Sequence, residues 1–140
     1  IRDSIYAAQS VQHILSLLLY RNHALPDEHW KKDWRSSLES IVEFMHENVS
    51  EPLRLEDFAD EAGLSVSHFS ERFRSQTGQS PMAYFIELRM RFACRLLDLS
   101  DKPIKAVAIE TGYRDPYYFS RVFKKAMGLS PERYREIKKG

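Results

Sequence analysis

One stretch of this chain occurs twice. A unit that recurs at a spacing of roughly fifty residues runs first over Leu55–Leu88 and again over Ile104–Lys138. From its first apolar residue the first copy reads LEDFADEAGLSVSHFSERFRSQTGQSPMAYF, and the second reads IKAVAIETGYRDPYYFSRVFKKAMGLSPERYR. The offset is 49 up to the glycine, as in Ala59/Ala108, Glu61/Glu110 and Gly63/Gly112. Beyond it the offset is 50, as in Phe69/Phe119, Ser70/Ser120, Phe73/Phe123, Gly78/Gly128, Ser80/Ser130, Pro81/Pro131 and Tyr84/Tyr134. One residue is therefore inserted in the turn after the glycine. Two copies make a duplicated module, not a solenoid, which needs at least three.

Both copies follow one physical grammar. A short apolar helix ends at a glycine, which supplies the positive φ of a tight corner. A second helix follows, and Gly-x-Ser-Pro then opens a third. Ser caps a helix N-terminus and Pro suits its first position, so Ser80-Pro81 and Ser130-Pro131 are helix starts. Two helices joined by a glycine-containing turn form the helix-turn-helix pattern, whose second helix can enter the DNA major groove. The expected fold is all-α: two helix-turn-helix units joined by a long linker helix and preceded by additional helices.

Charge agrees with this. Net charge is only +1, yet residues 1–51 carry 5 Lys/Arg against 8 Asp/Glu and residues 52–140 carry 16 against 12. The halves are thus −3 and +4, and the positive half holds the repeat, which suits a polyanion. No apolar run approaches the roughly 18 residues of a membrane span, and no leader peptide is visible. The chain begins at Ile1, as a piece of a longer protein would. A single cysteine, Cys94, excludes an internal disulfide and a cysteine-rich zinc site, and fits a reducing interior. It reads as a small core thiol. His23 and His29 lie in a polar loop without further ligands, so neither a metal nor a cofactor is expected. No nucleophile–base pair or phosphate loop suggests an enzyme.

In chain order, Ile5, Ala8, Val11, Leu15 and Leu18 fall on one face of a helix over Asp3–Tyr20. That face could serve dimerisation or docking, or simply pack within the chain. Arg21–Asp33, with Pro26, reads as a connection. A helix follows from about Trp34 to Asn48, stopped by Pro52. In the first copy, Glu56–Ala62 and Val66–Gln76 are the two helices, with Phe69 and Phe73 inward and Ser67, His68, Ser70, Glu71 and Arg74 outward. The linker helix spans Pro81–Leu99, with Met82, Phe85, Ile86, Arg89, Ala93, Leu96 and Leu97 carrying it. Its roughly 27 Å suits two reading heads about one DNA turn apart. The second copy starts at Pro103, read as a helix-first proline. Asp115-Pro116 opens its reading helix, Pro116–Met127, with Phe119, Val122, Phe123 and Met127 inward. Tyr117, Ser120, Arg121 and Lys124 face outward, with Arg114 and Lys125 near the edges. A short last helix tucks Tyr134 back.

At GYRDPYYFSRVFKKAMGLSPERYR, residues 112–135, the chain closely resembles the C-terminal signature of the AraC/XylS family of bacterial transcription regulators. The likeness extends back through Arg89-Met90-x-x-Ala93-x-x-Leu96-Leu97 to Leu55-Glu56-x-x-Ala59, about 90 of the 140 residues. It implies a DNA-binding domain over residues 35–140, with helix-turn-helix units near 55–77 and 103–127 around a linker helix near 81–99. Residues 1–34 would be the tail of an upstream sensor and dimerisation region. It implies a cytoplasmic, nucleoid-associated activator that binds double-stranded DNA and works with RNA polymerase. Homodimerisation through the upstream region and a small-molecule effector bound there are further implications.

By motif position, the resemblance marks Ser67, Ser70 and Glu71, and Tyr117, Ser120 and Arg121, as candidates for base contact. His68, Arg74, Arg114, Lys124 and Lys125 fall where phosphate contact is expected. Glu71 stands where many members have a basic residue, and Arg72 where many have an apolar one. The first unit could therefore bind weakly alone, or read cytosine, since a carboxylate accepts from the cytosine amino group. Each residue also has a plain alternative. Arg121 and Lys124 could form a solvated face, Glu71 could pair locally with Arg72 or Arg74, and His68 could pack or cap. The alternative for the whole is an all-helical protein-interaction module, which would lack the steep salt dependence of duplex binding.

Overall fold

The computed structural model describes the backbone of residues 28–139 and side chains from residue 37 onward. The helix expected over Asp3–Tyr20 lies outside the described residues. Within them are seven helices and no strand: α1 Glu28–Glu47, α2 Leu55–Ala62, α3 Val66–Thr77, α4 Pro81–Leu99, α5 Ile104–Glu110, α6 Pro116–Met127 and α7 Pro131–Lys139. The all-α, twofold helix-turn-helix expectation holds, and α4 is unbroken from the predicted first to the predicted last residue.

Two boundaries differ from expectation. Residues 28–33, read as connection, already belong to α1. Glu and Lys are good helix formers without an apolar stripe, so a polar segment can begin a helix. Pro103 is not the first helical residue of α5. It occupies the N-cap position with φ −61° and ψ 151°, and no side chain caps the helix there. A fixed φ near −65° satisfies either position.

The described residues form two compact units. One takes the chain up to Ile41 together with Leu55–Pro81, and the other takes Val42–Arg54 together with the chain from Met82. In the first unit Phe58 and Ala59 of α2 and Phe69 and Phe73 of α3 are buried. The rings of Phe69 and Phe73 lie 5.7 Å apart at 52°. Each phenyl group taken out of water contributes about 1.5–3 kcal/mol.

In the second unit Val107 and Ala108 of α5, Phe119, Phe123 and Met127 of α6, and Tyr134 of α7 are buried. Phe123 meets Tyr134 edge-on at 5.7 Å. The Tyr134 hydroxyl donates to Asp98 Oδ2 at 3.4 Å, and Lys138 Nζ pairs with the same oxygen at 2.8 Å. The last helix is thus held to α4 by an apolar ring with a polar tip. Burial, reinforced by the thiol of Cys94 and the Asp98 carboxylate, pushes the Tyr134 hydroxyl far above its usual range. Cys94 itself is buried.

Arg89 is the exception in this core. It is 8% exposed, although a guanidinium is charged at every ordinary pH. Its Nε donates to Val49 O at 3.0 Å and its Nη2 to Glu51 O. Its Cζ stands 4.3 Å from the Phe85 ring centroid and 5.3 Å from that of Tyr113. The same guanidinium lies against the Gly112 corner. A Cβ on Gly112 would sit 2.8 Å from Nη2 and 3.0 Å from Cζ. Gly63, the matching corner in the first unit, faces open space.

Both corners have positive φ, 67° at Gly63 and 88° at Gly112. The backbone penalty for a side chain is therefore shared, about 1–2 kcal/mol. Only Gly112 adds displacement of a buried, hydrogen-bonded cation, and bonds to charged groups are worth about 1.5–3 kcal/mol. Gly112→Ala is expected to destabilise the chain by at least about 1 kcal/mol more than Gly63→Ala, and Gly112→Val by more still. Chemical denaturation of the three variants checks this; equal losses for the two alanine variants would contradict it.

Candidate nucleic-acid interface

The two corners share the same pair of backbone hydrogen bonds. Gly63 N donates to Asp60 O at 3.0 Å and Leu64 N to Ala59 O at 3.0 Å. In the second copy Gly112 N donates to Ile109 O at 3.0 Å and Tyr113 N to Ala108 O at 2.9 Å. The next shared feature is the helix N-cap. Ser65 Oγ accepts from His68 N at 3.2 Å, and Asp115 Oδ1 accepts from Tyr117 N at 2.9 Å. Leu64 therefore matches Tyr113 at offset 49, and Ser65 matches Asp115 at offset 50. The inserted residue is Arg114, which stands exposed at the corner.

Each second helix also ends in the same way. Gly78 and Gly128 adopt φ 77° and 85°, and their N–H groups donate to Arg74 O and Lys124 O. With both ends fixed and the phenylalanines turned inward, the outward residues follow from helical period. In α3, Ser67, Glu71 and Arg74 are exposed and Ser70 is half-buried. In α6, Tyr117, Arg121 and Lys124 are exposed and Ser120 is half-buried. Positions 67, 70, 71 and 74 recur as 117, 120, 121 and 124. Their spacing of three, four and seven puts each set on one stripe. The six base candidates and two of the phosphate candidates, Arg74 and Lys124, are thus gathered on equivalent stripes. His68 and Lys125 are exposed in a neighbouring row, and Arg114 lies at the corner, off both stripes.

Glu71 forms no ion pair among the described residues, so the local pairing with Arg72 or Arg74 is not made. The side chain of His68 is exposed while its backbone N–H takes the Ser65 cap. The segment Tyr113–Gly128 carries Arg114, Arg121, Lys124 and Lys125 against Asp115, or +3. The segment Leu64–Gly78 carries Arg72 and Arg74 against Glu71, or +1. Such charges favour phosphate at the second unit over the first.

Two residues at or behind the α6 stripe were given no role from sequence. Tyr118 is 51% exposed, and the Arg121 guanidinium carbon lies 5.8 Å from its ring centroid. The repeat already pointed to it, because Tyr118 matches His68 at offset 50. Arg89 was placed on the linker helix without a function; its signal was a charge within an apolar stripe, four residues after Phe85.

Among the described residues no group of three or more His, Cys, Asp or Glu could hold a metal ion. No described helix is long and apolar enough to cross a membrane.

Residues 58–137 match the family model described as a helix-turn-helix domain. The MmsAB operon regulatory protein of Pseudomonas aeruginosa is 42% identical over 99 residues, which are 71% of this chain and 32% of that protein. The HTH-type transcriptional activator RhaR of Pectobacterium atrosepticum is 31% identical over 133 residues, 95% of this chain and 46% of that one. The chain thus spans about a third to a half of these relatives. Among solved structures, the DNA-binding domain of AdpA in complex with a target DNA matches with a TM-score of 0.70 at 35% identity, over 72% of this chain and 91% of that one. An AraC-type regulator from Chromobacterium violaceum matches with a TM-score of 0.69 at 27% identity, over 74% and 93%. With its duplicated corners, capped second helices and this kinship, the chain belongs to the AraC/XylS family of helix-turn-helix transcription regulators.

Proposed function

We propose that this chain is the DNA-binding part of a longer transcription regulator, in which α3 and α6 enter successive major-groove segments of one duplex. The observation that carries the reading is the recurrence of one outward stripe, at equivalent positions, on two helices entered through the same glycine corner. Such a stripe presents hydroxyl, carboxylate and guanidinium groups, which match base edges, next to cations, which match phosphates. AdpA, similar in fold and sequence, has been solved on its target DNA.

In this reading Ser67, Ser70, Glu71, Tyr117, Ser120 and Arg121 approach bases. His68, Arg74, Arg114, Lys124 and Lys125 approach phosphates. Residues 35–140 make up the DNA-binding domain, and residues 1–34 are the end of an upstream region that dimerises and takes a small-molecule effector. The regulator activates, as RhaR is named to do, through RNA polymerase, in the cytoplasm at the nucleoid. It has no catalytic role. Selection from random duplexes followed by footprinting tests the reading. The protected region should cover two major-groove segments on one face, about 10 base pairs apart centre to centre. Protection of a single segment at saturating protein would contradict simultaneous docking. Failure to bind any duplex would favour a protein-interaction module.

The two units divide the work. The second, at +3, anchors on phosphate; the first, whose Glu71 has no ion-pair partner among the described residues, discriminates. Lys124→Ala should weaken binding to all duplexes alike and lower the salt slope by about 1. Glu71→Ala should relax preference at one position by about 1–3 kcal/mol without loss of affinity for scrambled DNA. Titrations of both variants at two salt concentrations check this, and an unchanged preference in Glu71→Ala would refute the division.

A further inference from the structure

Four side chains of the second unit form a continuous stack from its core to the outward stripe of α6. The root is Arg89, fixed by Val49 O and Glu51 O and lying on Phe85. Its guanidinium carbon stands 5.3 Å from the centroid of Tyr113. Tyr113 is buried, and its ring also packs at 5.6 Å on Phe119. Its other neighbour is Tyr118, at 5.9 Å and 53°. The Tyr118 ring then carries Arg121 at 5.8 Å. Cations over aromatic faces and tilted ring pairs at these distances are attractive. The order is cation, ring, ring, cation, with the inner cation buried and hydrogen-bonded.

We propose that this stack holds the Arg121 guanidinium in its reading position, and that Tyr118 is a positioning residue for base recognition. The proposal rests on the DNA-binding reading. An arginine alone on a helix surface samples many rotamers, and a two-pronged contact with guanine must select one. A ring fixed beside it narrows that choice before DNA arrives, which is the general benefit of preorganisation. Tyr118 is suited to the task because Tyr113, anchored through its backbone to Ala108 O and through its ring to the core, fixes it from behind. The first copy cannot build the device. Its equivalents of Tyr113, Tyr118 and Arg121 are Leu64, His68 and Glu71.

The test uses the 140-residue chain and the variants Tyr118→Phe, Tyr118→Leu, Arg121→Ala and the double variant Tyr118→Leu/Arg121→Ala. Helical circular dichroism verifies folding of each. Affinity is measured for the selected duplex, for duplexes changed at the base pair whose preference Arg121→Ala abolishes, and for scrambled DNA. Chemical shifts of the Arg121 Hδ and Hε protons are read in the free protein. Tyr118→Phe, which keeps the ring, should match the wild type. Tyr118→Leu should lose about two- to fivefold in discrimination at that base pair, the worth of one exposed cation–π contact. Its affinity for scrambled DNA should not change, and it should add nothing in the Arg121→Ala background. The Arg121 protons should be ring-shifted in the wild type and move to random-coil positions in Tyr118→Leu.

Three results overturn the proposal. Tyr118→Phe could weaken binding to all duplexes alike, making the hydroxyl a phosphate contact. Tyr118→Leu could alter discrimination in the Arg121→Ala background, making Tyr118 itself a reader. Arg121 protons at random-coil positions in the wild type would show no stack, and leave the DNA reading standing. Wild-type protein that binds no duplex would overturn the DNA reading itself.

Discussion

A guanidinium taken out of water with no carboxylate partner among the described residues sets the terms for the second unit. Removing a charge from solvent costs several kcal/mol, and the cost is offset by engaging the group's donors and faces. Arg89 meets this with two carbonyls from the segment after α1 and two aromatic faces. Each engagement constrains something else. Val49 and Glu51 must turn their carbonyls inward, so the chain between α1 and α2 has a defined path there. Ser50, between them, donates to Glu110 O at the end of α5, a second tie to the same corner. Position 112 must lack a side chain, because a Cβ would meet the guanidinium. The corner that aims α6 is therefore fixed by a polar cluster as well as by apolar packing.

The duplication separates what a helix-turn-helix needs in order to fold from what it needs in order to read. The inward phenylalanines, the glycine corner, the N-cap and the glycine stop recur, and the corner and the stop make matching backbone hydrogen bonds in both copies. The outward residues do not. At matched positions the chain has serine and tyrosine, glutamate and arginine, arginine and lysine. Only half-buried Ser70 and Ser120 agree among the stripe positions. Substitutions on an exposed face away from special features cost little, within about 0.5 kcal/mol, whereas loss of a buried phenylalanine costs about 3–5 kcal/mol. Drift in a duplicated module is therefore free to act on the outward stripe. The two copies acquire different surface chemistry on one scaffold.

Much of this was legible in the chain because each strong signal has a local cause. Asp115-Pro116 and Ser130-Pro131 act within a few residues, and the helices they open begin where those dipeptides predict. The repeat doubles the information, since an apolar position read in one copy is checked in the other. The illegible parts are non-local. Nothing near Arg89 in sequence announces that its partners are Val49 and Glu51, some forty residues away. Whether a lone arginine on an apolar face is buried depends on that distant segment. The start of α1 escaped for a different reason. Residues 28–33 carry no apolar period, and helix formation there is driven by propensity, the weaker of the two signals. The roles of the outward residues lie outside the fold altogether. Periodicity says that Glu71 faces outward, but only a bound partner can say what it meets.

Glu71 and Arg121, at one repeat position, meet opposite local conditions. The Arg121 guanidinium has a ring beside it and a core behind that ring. The Glu71 carboxylate has no charged partner among the described residues, and its neighbours by repeat, Leu64 and His68, offer no equivalent brace. Glutamate and arginine each lose about 1.5–2 kcal/mol of side-chain entropy when fully ordered, so either would gain from a support in place before binding. Of the two, only Arg121 has such a support among the described residues. One repeat position is thus presented in two ways, as a guanidinium braced by a ring on α6 and as a carboxylate without that brace on α3.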